Sequence, residues 1–430
     1  MKNIRVGRAV LSTIICNTLV WYDYLLFGSL AVTIGDLFFP QSDAYSSLLS
    51  SFCVFAVGFC MRPFGASVFG HIGDRYGRRV ALVISIVAMS VPIGIMAVIP
   101  TYASAGVTAQ VLLVICMLSA GFSLGGEAGN ATFLIEHAKK NQAGLFGSLE
   151  VLCAVLGSVF ALVAKMAAEY FTGDNFGVWG WRIPFIVGFV IGIISIYLRS
   201  TAGESPAYEE QTSKEHGGVI DAPVRYLFKH YRRPLVLAIC IDCIENCSFH
   251  VFMVFFISYI SSFSRSMAIN PHVSEMIEIV NVALSGVLTV AFGALSDVMG
   301  RKKVMGYASV ALFFLAMPVF WLLSQESFLC VGLGYLLFAI PFAATLGPSS
   351  AAMSELFPTK VRCTGFGIAR NVSSALGGGL APALCTWLLQ VTNWKVSPGL
   401  YVMFWAIVAC IALSSIKPSD VYQDWLKSGS

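Results

Sequence analysis

The sequence predicts an all-α membrane protein of twelve transmembrane helices arranged as two equivalent halves. Hydrophobic residues make up 57% of the 430 residues and charged residues only 12%, whereas a soluble domain carries about 25% charged residues. Twelve apolar stretches, each about 20 residues or longer, could cross a bilayer as helices. One hairpin motif between two such stretches occurs twice, which indicates an internal repeat.

The predicted spans are separated by Gly, Pro and charged residues. The first six cover residues 9–36, 47–69, 80–100, 108–132, 144–170 and 181–199. The last six cover residues 235–262, 276–296, 304–323, 328–348, 364–390 and 398–416. The longest polar stretch lies near the midpoint of the chain, so we expect a first half at 1–199, a cytoplasmic linker at 200–233 and a second half with a short tail at 234–430.

The repeated hairpin connects the second span to the third and the eighth to the ninth. Gly293, Asp297, Gly300, Arg301 and Lys302 repeat Gly70, Asp74, Gly77, Arg78 and Arg79 at one constant offset. Glycine lets two helices approach closely and adopts left-handed turns, and arginine retains a loop in the cytoplasm. A short basic loop could simply fix the membrane topology of the chain. The second copy of the motif indicates instead that the two hairpins have the same role.

The distribution of positive charge predicts the orientation of the chain. Most of the 27 Lys and Arg residues lie on the side of the repeated hairpins. By the positive-inside rule, we expect a multi-pass protein of the cell inner membrane with both termini in the cytoplasm. The lipid bilayer explains the basic residues without a nucleic-acid partner. The twelve cysteines lie mostly within apolar stretches, which is typical of small buried side chains rather than of disulfides.

Two other classes of function find little support in the sequence. An enzyme would need a nucleophile beside a base, or metal ligands, yet none of the six histidines has a partner at ligand spacing. A sensor would normally carry a signalling domain, for which the linker and the tail are short. We therefore expect no catalytic residue, no metal and no cofactor other than a coupling proton. We also expect a monomer with a small-molecule substrate.

The two matching hairpins resemble those of the major facilitator superfamily, which carry Gly-x-x-x-Asp-x-x-Gly-Arg-[Arg/Lys]. The resemblance implies two pseudo-symmetric six-helix bundles around a central cavity that opens to either side in turn.

Further motifs are similar to those of one branch, the metabolite:proton symporters. They are Asn17-Thr18-Leu19-Val20-Trp21-Tyr22-Asp23-Tyr24, Arg62-Pro63-Phe64-Gly65-Ala66, Gly121-Phe122-Ser123-Leu124-Gly125-Gly126-Glu127, Trp181-Arg182-Ile183-Pro184-Phe185 and Glu355-Leu356-Phe357-Pro358-Thr359. Members of this branch move proline and betaine, 2-oxoglutarate, shikimate, citrate and related acids. The resemblance implies a secondary active transporter that couples its substrate to protons.

Three positions depart from the pattern of this branch. Cys16 and Val20 replace Gly and Glu of the first motif, and Met117 replaces an Arg that can pair with Asp23 in proton-coupled relatives. Without a nearby cation, a carboxyl group within the membrane favours its neutral form. These departures leave an alternative open, in which the protein is an uncoupled facilitator of the same solutes.

Ionisable side chains within the predicted spans are candidates for proton coupling, because such groups are costly in lipid and usually face a cavity or a partner. The candidates are Asp23, Glu127 and Glu245. Asp242, Glu245, Asn246 and His250 share one face of the seventh span. Asp242 could instead be hydrated at the cytoplasmic end, and His250 could be a packing residue.

Arginines and aromatic residues are candidates for substrate contact. A guanidinium binds carboxylates bidentately, and aromatic rings attract quaternary ammonium groups. The predicted binding residues are Trp21, Tyr24, Arg62, Asn246, His250, Arg370 and Asn371. Arg62 and Arg370 could instead form structural pairs between helices. The expected substrate bears a carboxylate, and both a zwitterion and an organic acid remain open.

Charged residues near the hairpins are predicted to form gates that switch during transport. Asp74, Arg75, Arg78, Glu355 and Arg362 would join the second and eleventh spans. Asp297, Arg301 and Glu204 would join the eighth and sixth spans. Gly70 and Gly293 complete the predicted gating set.

Overall fold

The computed structural model describes residues 17–18, 20–40, 44–76, 78–128, 135, 142–201, 223–263, 271–325, 327–358, 361–417 and 420–421. All regular structure in these residues is helical, which confirms the all-α class. Within the same ranges, ten helices are long and apolar enough to cross a membrane. The two other predicted spans correspond to helical residues 20–38 and to Arg78–Val98, whose apolar part is Val83–Val98.

The twelve predicted spans are observed as helices α1 to α12. In the first half they are α1 (20–38), α2 (Ala44–Cys60 and Arg62–Tyr76), α3 (Arg78–Val98), α4 (Val107–Leu124), α5 (Ala143–Thr172) and α6 (Ile183–Thr201). In the second half they are α7 (Arg232–Phe263), α8 (Pro271–Met299), α9 (Arg301–Leu323), α10 (Phe328–Glu355), α11 (Arg362–Thr392) and α12 (Pro398–Ser415). A short helix, Pro223–His230, precedes α7.

The second hairpin turns at Gly300, whose φ of +92° lies in the region that favours glycine. Gly300 joins α8 to α9 without any intervening residue. Its counterpart in the first hairpin, Gly77, lies outside the described residues. In the second copy of the motif, the backbone conformation of this turn therefore explains why the residue is glycine.

Glycines of two motifs allow α2 and α4 to pack backbone against backbone. A Cβ atom added to Gly121 would lie 1.8 Å from the carbonyl oxygen of Gly58, and one added to Gly65 would lie 1.8 Å from that of Phe122. Any side chain would force these helices apart. The motifs around Arg62 and Gly121 therefore form one packing unit within the first half.

The two halves meet closely where α5 packs along α8. A Cβ on Gly144 would lie 2.4 Å from the carbonyl oxygen of Gly293, and one on Gly286 would lie 2.9 Å from Val155 Cγ1. Gly293 is the first glycine of the repeated motif. This glycine thus permits close contact between the two halves.

Helices α7 and α11 both contain a π-helical segment, Val251–Phe255 and Ser374–Gly379 respectively. Such segments widen one turn of a helix and are frequent at functional sites. Two glycines within the second segment allow α11 to pack closely against α7 and α2. A Cβ on Gly377 would lie 2.5 Å from the carbonyl oxygen of Cys243, and one on Gly379 would lie 2.4 Å from Phe59 Cβ.

Large apolar side chains remain exposed on the outer faces of the helices. Phe314 is 69% exposed and Val287 is 68% exposed, as expected for side chains that contact lipid. The ten cysteines whose side chains the structure describes are free. These observations agree with a multi-pass membrane protein.

Candidate functional site

A cavity lies between the two halves. Helices α1, α2 and α5 line it from the first half, and α7 and α11 line it from the second. The lining residues are Trp21, Arg62, Glu150, Val151, Ala154, Glu245, Asn246, Phe249, Phe366, Arg370, Asn371 and Ser374. Aromatic walls with a few polar groups are typical of sites that bind small molecules.

Arg370 on α11 lies at the centre of an acidic cluster that draws on both halves. Its Nη1 donates to Asp242 Oδ1 at 2.8 Å and also to Glu245 on α7. Its Nη2 lies 3.3 Å from Glu150 Oε2 and 3.2 Å from Ser350 Oγ. Three carboxylates thus surround one guanidinium, and hydrogen bonds from several directions hold its orientation.

A second set of hydrogen bonds connects α7 to α11 beside this cluster. Asn246 Nδ2 donates to Asp242 Oδ2 at 2.9 Å, and Ser374 Oγ donates to Asn246 Oδ1 at 2.7 Å. Ser373 also donates to Asp242. Asp242 is fully buried, so it belongs to this network and is not hydrated at a helix end.

Arg62 lies where the second segment of α2 begins, and its side chain reaches the other half. Its Nε donates to Asn371 Oδ1 at 3.2 Å, and its guanidinium lies 5.4 Å from the centre of the Phe59 ring. Asn371 donates in turn to the carbonyl oxygen of Gly367 at 2.8 Å. The hydrogen bond with Asn371 therefore orients the guanidinium of Arg62 toward the second half.

Aromatic side chains form one wall of the cavity and a layer behind it. Trp21 and Phe249 line the cavity with ring centres 5.7 Å apart, and Trp21 Nε1 has no hydrogen-bond partner among the described residues. Tyr24 and His250 pack on Phe59, with ring centres 5.1 and 4.8 Å away. Tyr24 and His250 are not among the residues that line the cavity, so their roles in substrate binding remain predictions.

Asp23 faces the interior of the first half. It is 3% exposed, and its Oδ1 has no hydrogen-bond partner within the described part of the chain. A Cβ on Gly188 of α6 would lie 2.3 Å from that oxygen, and 3.2 Å from Ile93 of α3. The backbone of Met117 packs against Gly58 of α2. Asp23 is not among the residues that line the cavity, and its part in coupling remains a prediction.

At the hairpin side of the molecule, Asp297 joins the second half to the first. Its carboxylate accepts the backbone N–H groups of Gly144 at 2.9 Å and Leu145 at 3.0 Å, at the start of α5. Arg301 lies 2.7 Å from Asp297 and 3.2 Å from Glu355. A carboxylate is favourable at a helix N-terminus. The observed contact joins α8 to α5, whereas the sequence analysis expected Asp297 to join α8 to α6, and its gating role remains a prediction.

The other predicted gating residues are only partly described. Arg362 is buried and donates from Nε to the carbonyl oxygens of Ser354 and Phe357, both at 3.2 Å. The described part of the structure does not include Glu204, the side chains of Asp74, Arg75, Arg78 and Glu127, or the surroundings of Gly70. Their roles remain predictions.

Two polar residues of the cavity region were missed by the sequence analysis. Glu150 lies within the fifth apolar stretch, and Ser350 donates to Glu150 Oε2 at 3.1 Å from α10. An acidic residue within a membrane span is a candidate functional residue, and this rule applies to Glu150 as much as to Asp23. No sequence pattern singles out Ser350.

Replacing Asp297 with Asn should slow transport. The Asn amide is neutral and has one carbonyl oxygen where the carboxylate has two, so it cannot replace both hydrogen bonds to the backbone N–H groups. Each lost hydrogen bond is worth about 1 kcal/mol. We expect uptake about ten-fold slower with normal amounts of protein in the membrane. Asp174→Asn, in an exposed turn after α5, is the control, and wild-type uptake in both variants would contradict the gate.

A family comparison identifies the chain. The family described as "Sugar (and other) transporter" matches residues 9–218 and 208–416, which together span almost the whole sequence. The chain belongs to this family. It is therefore a transporter and not an enzyme, and transporters of this kind need no cofactor.

Curated relatives are similar to the transporter over nearly its full length. A proline/betaine transporter of Escherichia coli is 32% identical over 427 residues, which cover 96% of this chain and 84% of the relative. A glycine betaine/proline/ectoine/pipecolic acid transporter of Dickeya dadantii is 30% identical over 420 residues, covering 95% and 82%.

Solved structures confirm the predicted major facilitator fold. The proton:xylose symporter XylE, described as a major facilitator superfamily protein, superposes with a TM-score of 0.70 at 17% identity and covers 94% of each chain. A partially occluded inward-open form of XylE from E. coli superposes with a TM-score of 0.68 at 18% identity. The arrangement of helices in this transporter is therefore that of the superfamily.

Proposed function

We propose that the transporter is a proton-coupled symporter of small zwitterions that bear a carboxylate, with proline and betaines as the leading class. The observation that carries this proposal is one cavity lined by a guanidinium, an acidic cluster and an aromatic wall. Arg62 suits a substrate carboxylate, and the rings of Trp21 and Phe249 suit a substituted ammonium group. The opposite charges of a zwitterion would each meet a complementary group.

The same geometry disfavours di- and tricarboxylates. Glu150 and Glu245 both line the cavity, so an additional negative charge on the substrate would lie near like charges in a medium of low dielectric. The names of the relatives from E. coli and D. dadantii support the zwitterion class as well. An organic acid is therefore the less favoured substrate.

Transport would proceed by alternating access of a monomer in the inner membrane. The contact of Asp297 with the start of α5 would close the hairpin side, and its loss would open that side. Most basic residues lie on this side, which supports a cytoplasmic location for both termini and for the linker at 200–233.

Uptake into proteoliposomes tests the proposed function. Radiolabelled proline and glycine betaine are offered with and without an inwardly directed proton gradient, and citrate serves as the comparison substrate. With one proton per solute, a gradient of one pH unit should support about ten-fold accumulation. Equilibration of a zwitterion without accumulation would identify an uncoupled facilitator, and uptake of citrate alone would overturn the substrate class.

Substitution of Arg62 tests its contact with the substrate carboxylate. Lys keeps the charge but loses the planar fork, so Arg62→Lys should raise the apparent KM for the zwitterion about ten-fold, equivalent to roughly 1.4 kcal/mol. Arg62→Met should raise it further. If both variants keep the wild-type KM, Arg62 is a structural residue and Arg370 becomes the candidate for this contact.

A further inference from the structure

Glu150 is a buried acid of the first half whose observed partners belong to the second half. It is 7% exposed, and its Oε2 lies 3.3 Å from Arg370 Nη2 and 3.1 Å from Ser350 Oγ. Arg370 is on α11 and Ser350 is on α10. The Glu150 contacts can therefore persist only while the two halves meet at this level.

The other two acids of the cluster are placed differently. Asp242 and Glu245 are on α7, in the same half as Arg370, and both contact its Nη1. A movement of one half relative to the other leaves these contacts intact, because all three residues move together. Glu150 is the acid of this cluster whose pairing depends on the state of the transporter.

The helices around Glu150 provide few further charges. Among the described residues, α11 presents Arg370, α7 presents Asp242 and Glu245, and α10 presents the hydroxyl of Ser350. On α8, Asp297 contacts the start of α5, and on α2, Arg62 lines the same cavity as Glu150. Three carboxylates thus share one guanidinium, and the excess negative charge of the cluster favours the binding of a proton from solution by one of them.

We propose that Glu150 carries the coupled proton and that its ionised form, paired with Arg370 and Ser350, closes the cavity toward the hairpin side. This inference rests on the proposed function as a symporter. It assigns the coupling step to an acid that joins the halves, whereas Asp23 faces the interior of one half.

The proton step follows from these contacts. In the state open to the outside, a proton from that solution binds the Glu150 carboxylate, and Arg370 retains Asp242 and Glu245 as partners. The neutral carboxyl no longer holds the halves together, so the hairpin side can open. The proton then leaves to the solution on that side, and the ionised Glu150 pairs with Arg370 again as the empty transporter returns.

The first experiment compares exchange with accumulation in proteoliposomes, with radiolabelled proline or glycine betaine as the probe. Glu150→Gln mimics the protonated form. It should still exchange substrate for substrate at a measurable rate, while accumulation under a gradient of one pH unit falls from about ten-fold to one-fold. Glu169→Gln is the matched control, because Glu169 is an acid on the same helix that pairs with Lys165, and it should accumulate as wild type does.

The outcomes separate this inference from the proposed function. A wild type that never accumulates either probe contradicts the proposed symport. If wild type and Glu150→Gln both accumulate the probe, only the role of Glu150 is overturned. Loss of accumulation in Asp23→Asn would then assign the coupled proton to Asp23. If Glu150→Gln does not fold, Glu150→Ala is measured in the same way. Loss of exchange in the folded variant, or failure of both to fold, would make Glu150 a structural residue.

A second measurement needs no substrate. Nitroxide-bearing amino acids at Val80 and Val298, both exposed near the hairpins of opposite halves, report the opening of the hairpin side by electron paramagnetic resonance. Lowering the pH should lengthen the distance between the labels in wild type and in Glu169→Gln. In Glu150→Gln the distance between the labels should not change with pH, and a pH response like that of wild type would overturn the inference.

Discussion

Replacing Arg370 with Gln should abolish transport and destabilise the protein strongly. The substitution leaves Glu150, Asp242 and Glu245 together in a buried site without the guanidinium that contacts all three. Removing one partner of a buried ion pair costs about 3–5 kcal/mol, because the remaining charge is buried without compensation. The unfolding temperature of the purified protein and uptake in proteoliposomes measure the two effects.

The matched control for Arg370 is Arg232→Gln at the start of α7. Arg232 is exposed and donates to the carbonyl oxygen of Phe228, so its loss should leave both stability and uptake near wild type. Arg370→Lys retains the charge but not the fork that reaches three acids, and it should lie between wild type and Arg370→Gln in both measurements. Wild-type stability of Arg370→Gln would show that the cluster holds fewer ionised carboxylates than its contacts suggest.

Replacing Gly121 with Val should prevent the first half from folding. The first carbon of the new side chain would lie 1.8 Å from the carbonyl oxygen of Gly58 and 2.4 Å from its carbonyl carbon, so α2 and α4 must separate. Overpacking a close interface costs about 1–3 kcal/mol, and more where backbone rather than a flexible side chain must move. We expect at least about 3 kcal/mol here, together with loss of the monodisperse protein in size-exclusion chromatography.

Gly332→Ala is the control for this substitution. A Cβ at Gly332 meets nothing within 4 Å, and alanine favours a helix over glycine by about 1 kcal/mol. This variant should therefore be recovered in wild-type amount with equal or higher thermal stability. Recovery of folded Gly121→Val would contradict the backbone contact between α2 and α4.

The class, the number of spans and the family could be predicted from the sequence, because hydropathy and motifs are read along contiguous residues. The repeated hairpin also predicted the close packing at Gly293 and the glycine turn at Gly300. Residues from distant parts of the sequence that the motifs and arginines singled out, among them Arg62, Asn246 and Arg370, do line one cavity.

The partners of these side chains could not be predicted in the same way. The spacing on α7 placed Asp242, Glu245 and Asn246 on one face, but it carried no information about Glu150, which reaches Arg370 from the other half of the molecule. Likewise, the acid at Asp23 was conspicuous in the sequence, yet its orientation toward α6 depends on how α1 is rotated within its bundle.

The sequence by itself thus determined that this protein is a two-part membrane transporter and which residues are costly to place in lipid. Only the tertiary structure decided which of those residues meet. The physical reason is that helices apolar on nearly every side have no distinct buried stripe, so residue spacing along them does not specify which face turns toward the cavity. Rotation and register are set by the close packing of glycines such as Gly121 and Gly144 against neighbouring backbones, which no single stretch of the chain encodes.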